Sequence, residues 1–297
     1  MTTNTDKLVR FLLPEAGVRG VHVQLDASWL QLQSHAAYPP AATELLGQAL
    51  AACALLTGHI KVDGRLSLML RSPGDLRTLF AECTAAGGVR GIVRLADGRD
   101  APRELNNLGD GAMLAMTIEN PGLDPREPQR YQSFVNLGAA TLDGALEDYF
   151  RQSEQLPTRL LLTADDSGVA GLMLQKLPGD EGDEDGWNRA CALFDTLRHK
   201  ELADTDAATV LHRLFHEEGV QLVGDKTLDF ACSCSQERVA GMLQSLGREE
   251  AYAAAQDNGG EIEVRCEFCA HEYHFSLTDL NLLFTQSTVH PAGDQLH

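Results

Sequence analysis

The first 178 residues contain several short runs in which apolar and polar positions alternate, the pattern of half-buried β-strands. The clearest runs cover 18–25 and 65–70, and further runs predict strands over 88–95, 113–118, 132–137, 159–163 and 169–174. Residues 41–57 are rich in Ala and Leu and precede Gly58, which predicts a buried helix that ends at a glycine. A second helix is predicted over 141–152. Strands in series with few helices between them favour an α+β fold over a doubly wound parallel sheet.

Residues 179–186 (GDEGDEDG) form the clearest boundary in the chain. Three glycines leave the backbone unrestrained, and five carboxylates repel one another. Beyond this boundary, apolar residues at helical spacing predict two short amphipathic helices, the second of which begins at Thr205 or Asp206 and ends at Gly219. Short amphipathic helices need a neighbour that buries their apolar face. We therefore predict an acidic, metastable helical linker over residues 179–231.

Four cysteines near the end of the chain form a C-x-C and a C-x-x-C pair, separated by 31 residues. The intervening pattern predicts two helices, a glycine turn and a strand before the second pair, with a partner strand after it, over 236–246, 248–256, 257–260, 261–264 and 271–275. Such a small fold brings both pairs together, and four thiolates in a tetrahedron suit Zn²⁺. We predict a zinc site made of Cys232, Cys234, Cys266 and Cys269.

These residues predict an α+β protein with three parts. The parts are an N-terminal mixed α/β core domain at 1–178, the helical linker at 179–231, and a small C-terminal four-cysteine zinc domain at 232–297.

The residues alone leave open whether the zinc site is a permanent structural ribbon or a reversible redox device. Ribbons usually contain two C-x-x-C knuckles. A disulfide across C-x-C closes a small, strained ring that is easily reduced, which suits a reversible device. Zinc loss would remove roughly 10–16 kcal/mol of apparent stabilisation from so small a domain. Oxidation of the sulfurs, loss of zinc and local unfolding would then be one linked event.

Other candidate ligands and thiols are weaker. His271 and His274 follow the second pair, but four cysteines already fill a tetrahedron. Cys53, Cys83 and Cys191 lie in apolar segments and are interpreted as buried core residues.

The charge of the chain restricts its partners. The sequence has 43 acidic and 24 basic residues, a net charge of −19, and residues 179–230 alone hold 13 acidic against 5 basic residues. A phosphate backbone would be repelled by this surface, so nucleic acid is disfavoured. Residues 1–10 are polar and the apolar run 11–13 stops at Pro14, which is unlike a signal peptide, and the apolar stretch 49–56 is short for a bilayer. We expect a cytoplasmic protein without a membrane partner, whose cysteines are metal ligands, redox sensors or buried small apolar residues rather than a structural disulfide framework.

Several segments together carry a resemblance that covers nearly the whole chain. They are Gly47–Ala52, Tyr149–Thr158, Gly171–Gln175, Leu214–Glu218 and Cys234–Val239, together with the two cysteine pairs. In these segments the sequence resembles the heat-shock protein 33 family of bacterial redox-regulated chaperones.

The resemblance implies an ATP-independent holdase chaperone that protects against oxidative and heat stress. In the reduced form the four cysteines would bind one zinc per chain and the protein would be inactive. Oxidation would form the disulfides Cys232–Cys234 and Cys266–Cys269, release zinc, unfold the linker and open apolar surface to unfolding client proteins. The family also implies that the active form is a homodimer.

Two other function classes remain as rivals. A thiol–disulfide oxidoreductase using Cys266 and Cys269 would place the C-x-x-C at the start of a helix in a thioredoxin-like unit, whereas here it lies between two predicted strands. A nucleic-acid-binding zinc module conflicts with the 10 acidic and 3 basic residues of 231–297. No phosphate-binding loop or nucleophile elbow is present, and we expect no enzyme activity.

Overall fold

The computed structural model describes residues 6–122, 124, 127–179 and 183–286. It forms two compact units, Met1–Ala231 and Cys232–His297. The strands are β1 Lys7–Leu13, β2 Val18–Leu25, β3 Arg65–Arg71, β4 Leu76–Thr84, β5 Gly88–Leu95, β6 Met113–Asn120, β7 Gln129–Val135, β8 Thr158–Ala164, β9 Val169–Lys176, β10 Gln221–Thr227, β11 Asp229–Phe230, β12 Glu261–Arg265 and β13 Glu272–Ser276. The α-helices are α1 Ala27–His35, α2 Pro40–His59, α3 Leu142–Tyr149, α4 Gly186–Phe194, α5 His199–Asp204, α6 Ala207–Phe215, α7 Gln236–Leu246, α8 Arg248–Asp257 and α9 Leu277–Gln286.

Two sheets build the first unit. One has the order β10-β1-β2-β9-β8 with antiparallel neighbours throughout. The other has the order β11-β5-β4-β3-β6-β7, in which only the short β11 pairs in parallel. This architecture confirms the predicted α+β class, because sequential hairpins rather than crossover helices connect most of the strands.

Helix α2 lies between the two sheets and contacts strands of both. Ala and Leu on every side of this helix are buried, as expected for a helix without a solvent-facing stripe. It is the one helix among the described residues that is long and apolar enough to cross a membrane, and 83% of its apolar window is buried inside the protein. The predicted end at Gly58 is wrong, since the helix runs on to His59.

The second face of the five-stranded sheet is covered by the segment that was predicted as a linker. Apolar side chains of α4, α5 and α6 form one buried cluster with Phe11, Leu13, Val18, Leu172 and Leu174 of that sheet. With α2 on one face and these helices on the other, the central strands β2 and β9 are buried almost throughout, which explains the nearly continuous apolar sequence of β9.

The second of the two predicted linker helices begins and ends close to the predicted positions, whereas the linker contains a third helix, α5, that the sequence did not indicate. Helix α6 has Asp206 as its N-cap, whose side chain accepts a hydrogen bond from the Thr209 amide, and Gly219 follows in the left-handed conformation. The strand β10 after it was not predicted. Of the predicted boundary 179–186, residues 180–182 lie outside the described residues. The division into core domain and linker stays a prediction about how the protein works.

The second unit is a small fold built on one hairpin. Strands β12 and β13 pair antiparallel, and α7, α8 and α9 pack with them around a core of seven buried side chains: Leu243, Ala251, Ala255, Ile262, Tyr273, Phe275 and Leu280. Helix α7 spans the predicted residues 236–246 and ends at Gly247, which has a φ of 103°. A core this small gives limited stability alone, so a metal that crosslinks the chain would contribute strongly to folding.

Candidate metal centre

The first cysteine pair lies in a loop held by the start of α7. Ser235 caps this helix by accepting a hydrogen bond from the Arg238 amide. The Arg238 guanidinium reaches back and donates to the carbonyl oxygen and the hydroxyl oxygen of Ser233, at 2.7 and 2.6 Å. Ser233 is the residue between Cys232 and Cys234, so this side chain fixes the loop on which both thiols are carried.

The second pair lies in the connection between β12 and β13. The Cys266 amide donates to the His271 carbonyl at 2.9 Å, and the Ala270 amide donates to the Cys266 carbonyl at 2.8 Å. Ala270 has a φ of 56°, so the chain turns sharply at this point. The loop therefore presents Cys266 and Cys269 on one side of the hairpin end.

The fold brings all four predicted ligands together. Their sulfur atoms lie within 4.8 Å of one another, with Cys232 Sγ 3.6 Å from Cys266 Sγ and Cys234 Sγ 3.4 Å from Cys269 Sγ. None of the four forms a disulfide. A tetrahedral site with Zn–S bonds of about 2.3 Å separates its sulfurs by about 3.8 Å. The four thiols therefore have the number, chemistry and spacing that a metal ion requires.

Hydrogen bonds within the cluster separate the acidities of its thiols. Burial acts to raise the pKa of Cys234, but a hydrogen bond from the Tyr273 hydroxyl and contacts with the other three thiols lower it to about 7. Burial raises the pKa of Cys232 and, more strongly, that of Cys269. A cluster that gives up its first proton near neutral pH presents a thiolate to a soft cation.

Tyr273 is the residue of this site that the sequence did not single out. It lies on β13, is buried, and its hydroxyl group is the donor to Cys234, which raises the pKa of the tyrosine. The only feature of the sequence that points to Tyr273 is its position in the strand predicted directly after the second cysteine pair.

The two nearby histidines are not part of the sulfur cluster. The His274 ring lies 3.4 Å from a Glu261 carboxylate oxygen, and the His271 ring packs against Tyr273 with centroids 4.6 Å apart.

The prediction that Cys53 and Cys83 are buried core residues is confirmed, whereas Cys191 on α4 is only partly buried.

The C-x-x-C motif lies in a hairpin connection and not at a helix N-terminus. Cys266 follows β12 directly, and Cys269 precedes β13 by two residues. The thiolate of a thioredoxin-type motif is stabilised at a helix start, and that support is missing from this pair in the described structure. The placement favours a ligand knuckle over a dithiol active site.

Comparison with known proteins identifies the family. The family model described as Hsp33 protein matches residues 6–276. A 33 kDa chaperonin of Pseudomonas fluorescens (strain SBW25) is 39% identical over 99% of this chain and 98% of its own length. The chain belongs to the Hsp33 family. Another 33 kDa chaperonin, from Ectopseudomonas mendocina (strain ymp), is 41% identical over 93% of this chain and 94% of its own.

A solved structure has the same fold. The crystal structure of the 33 kDa chaperonin of Thermotoga maritima, a heat shock protein 33 homologue, superposes with a TM-score of 0.73 at 21% identity and covers 96% of this chain and 99% of that one. These findings confirm the predicted family and fold class, and they make the protein a chaperone of the Hsp33 family.

Proposed function

We propose that this Hsp33-family protein is a redox-regulated, ATP-independent holdase that binds unfolding proteins after its zinc-site cysteines are oxidised. The observation that carries the proposal is the meeting of four sulfur atoms within 4.8 Å in a small unit of their own. A thiol cluster of this kind is both a metal site and a pair of potential disulfides. Its chemistry therefore couples the oxidation state of the chain to the stability of that unit.

The ion that suits the reduced site is zinc, one per chain. The ligands would be the thiolates of Cys232, Cys234, Cys266 and Cys269. Four soft sulfur ligands in a closed site suit a structural Zn²⁺, which has no redox chemistry of its own. The bound ion would crosslink the loop before α7 to the connection between β12 and β13. Such a site supplies no catalytic group, and we propose that the protein is not an enzyme.

Oxidation removes the ligands. We propose the disulfides Cys232–Cys234 and Cys266–Cys269, each formed when two thiols lose two protons and two electrons to one peroxide molecule, which becomes two water molecules. Sulfurs of the two different knuckles also lie close together, at 3.4 and 3.6 Å. Peptide mapping of the oxidised protein therefore has to distinguish pairing within each knuckle from pairing across them.

The linker supplies the surface that opens. Helices α4 to α6 bury apolar side chains on the five-stranded sheet, and the whole linker 179–231 that contains them holds 13 acidic against 5 basic residues. Release of these helices would expose both their apolar faces and the sheet face beneath them to unfolding clients, while the charge keeps the opened protein soluble. We further propose that the active form is a cytoplasmic homodimer without nucleic-acid or membrane partners.

The test is light scattering from a thermolabile client enzyme, with the zinc-loaded reduced protein and with protein treated with peroxide at elevated temperature. We expect suppression of aggregation only after oxidation. Equal suppression in both states would leave a constitutive chaperone with a structural metal. Suppression in neither state would contradict the holdase function, and turnover in insulin reduction would then be measured.

A further inference from the structure

A cleft with a volume of about 500 Å³ opens in the first unit at the end of helix α2. It forms beyond His59, the last residue of α2, where the helix stops covering the sheet behind it. Its walls combine basic and apolar side chains, among them Arg19, His59, Lys61, Met116, Ile118 and Phe150. None of these residues belongs to the metal centre or to the linker.

Two polar side chains that line the cleft, Arg19 and Gln175, belong to a hydrogen-bonded row that crosses three strands. Arg19 of β2, Gln175 of β9 and Thr158 of β8 are direct cross-strand neighbours. Gln175 is fully buried and follows six apolar residues in its strand. Its amide nitrogen donates to Thr158 Oγ1 at 2.9 Å, so its oxygen accepts from Arg19 Nη2 at 2.6 Å and from His59 Nε2 at 2.8 Å. The row thus fixes the positions of both basic side chains.

Arg19 has no counter-charge among the described residues. It forms a hydrogen bond to a neutral amide, no described carboxylate pairs with it, and its Nε is buried without a hydrogen-bond partner in the described structure. Burial lowers the pKa of Arg19 as a consequence. An arginine held in this way carries a desolvation cost that an anionic ligand would offset.

The other charged groups of the cleft leave it net positive. Lys61 lies at its rim, and Glu154 is its one acidic lining residue, with a carboxylate that accepts a hydrogen bond from the Tyr149 hydroxyl at 2.8 Å. Burial, together with the charge of Arg19, lowers the pKa of His59 to about 4, so this ring is neutral at pH 7. A positive cleft on a protein of net charge −19 is a local reversal of the surface field.

The remaining wall is apolar and comes from different parts of the chain. Met116 and Ile118 of β6 line it together with Phe150, which begins a π-helical turn over Phe150–Glu154. The next residue, Gln155, has a φ of 56°. Single π-helical turns and left-handed non-glycine residues are uncommon and occur often at functional sites.

We propose that this cleft binds a small monocarboxylic acid with an apolar body, its carboxylate on the Arg19 guanidinium and its body against Met116, Ile118 and Phe150. The half-buried Arg19 guanidinium matches one carboxylate, and the cleft as a whole, with Lys61 and Glu154 counted, has a net charge of +1 that suits a single negative charge. The volume is that of a small-molecule site. The proposal is independent of the redox switch.

The experiment uses the reduced full-length protein and 3-phenylpropionate as the probe, with 3-phenylpropan-1-ol as its uncharged counterpart. Calorimetric titration gives the affinity of each for the unaltered protein, for Arg19→Met, and for Arg71→Met, which removes an exposed arginine elsewhere. We expect the acid to bind at least about tenfold more tightly than the alcohol, which corresponds to about 1.4 kcal/mol. Arg19→Met should abolish this preference, and Arg71→Met should retain it.

A second measurement needs no substitution in the cleft. The ring resonances of His59 should shift when 3-phenylpropionate is added, and those of His212 on α6 should not. Equal binding of acid and alcohol, an unaltered preference in a folded Arg19→Met protein, or an unmoved His59 signal at millimolar probe would each overturn the proposal.

Discussion

Phe215, the last residue of α6, stacks on Phe11 of β1, with ring centroids 6.2 Å apart and planes inclined by 26°. Both rings are almost fully buried. Gly20 on β2 makes room for this arrangement, because a Cβ there would lie 2.1 Å from the tip of the Phe11 ring. The aromatic pair therefore joins the linker to the sheet, and in the proposed mechanism it is a contact that must break.

Truncation of this pair should loosen the linker before any oxidation. Replacing a buried phenylalanine by alanine costs about 3–5 kcal/mol. In Phe215→Ala we expect faster amide hydrogen exchange across α4 to α6 and partial suppression of client aggregation by the reduced protein. Phe134→Ala makes the same change to a ring that is 64% exposed and should leave exchange in these helices unaltered. Unaltered exchange in Phe215→Ala would contradict the role given to the pair.

A network of ion pairs also connects two distant parts of the linker. The Arg189 guanidinium donates to both Glu218 oxygens at 2.9 Å and to both Asp183 oxygens at 3.0 and 2.8 Å, which ties the start of α4 to the turn after α6. Glu218 is buried, so Arg189→Met would leave a buried carboxylate without its partner.

We expect Arg189→Met to give several-fold faster proteolytic cleavage within 183–218 and activation at lower peroxide concentration. Lys200→Met is the matched control, since it removes an ion pair in the same segment whose two partners are exposed. Cleavage at the same rate in both variants would show that the network does not hold the linker.

Local patterns in the sequence were sufficient to predict much of this architecture. The strands 18–25 and 88–95 and the helix 236–246 have the predicted bounds, because each combines a clear period with a glycine or polar boundary. The two cysteine pairs met as predicted, since the short fold between them leaves few other arrangements. In these places a residue's environment is set by its near neighbours in the chain.

Elements defined by distant partners were missed. Strand β10 has no buried face of its own and exists because it pairs with β1, more than 200 residues earlier in the chain. Its sequence therefore has no period to detect. The cleft could not be predicted from the sequence either, because Arg19 and Gln175 come together only through the pairing of β2 with β9. Helix α3 was predicted through residue 152, but it changes to a π-helical turn after Tyr149.

Protonation of His22 should destabilise the first unit in mild acid. His22 is buried on β2, and neither ring nitrogen has a hydrogen-bond partner in the described structure. Burial lowers its pKa from 6.5 to about 4, against the opposing charge of Asp206, the N-cap of α6. The unfolded chain takes up the proton first, so this contribution to stability is complete above pH 6.5 and is lost as the pH falls towards 4.

From pH 7.5 to pH 5, the His22 contribution to the free energy of unfolding should fall by about 2 kcal/mol. Urea unfolding of the unaltered protein and of His22→Leu at both pH values measures this loss as the difference between their pH dependences. Parallel pH dependences would show that His22 is not the group responsible. His59 has a similarly lowered pKa but is present in both proteins, so it cancels in the comparison.

Loss of one sulfur ligand should release the metal and unfold the second unit together. The seven buried side chains of that unit make a small core, and structural zinc contributes roughly 10–16 kcal/mol of apparent stability to domains of this kind. We expect one zinc per reduced chain by elemental analysis after chelator treatment and gel filtration, and less than half of that in Cys234→Ser or Cys269→Ser. Amide exchange within 236–286 should lose its protection in the same variants.

The control for this experiment is Cys191→Ser, which removes a partly buried thiol on α4, outside the sulfur cluster. It should retain zinc and exchange protection, and peroxide should then remove zinc from it as from the unaltered protein. If Cys269→Ser kept its zinc, the four-cysteine site would be wrong and a nearby side chain such as His271 would have to serve as a ligand. If the metal left and the exchange protection stayed, the unit would be stable without its ion. Oxidation of the thiols could not then act through unfolding of this unit, and the proposed link from the cysteines to the linker would fail at its first step.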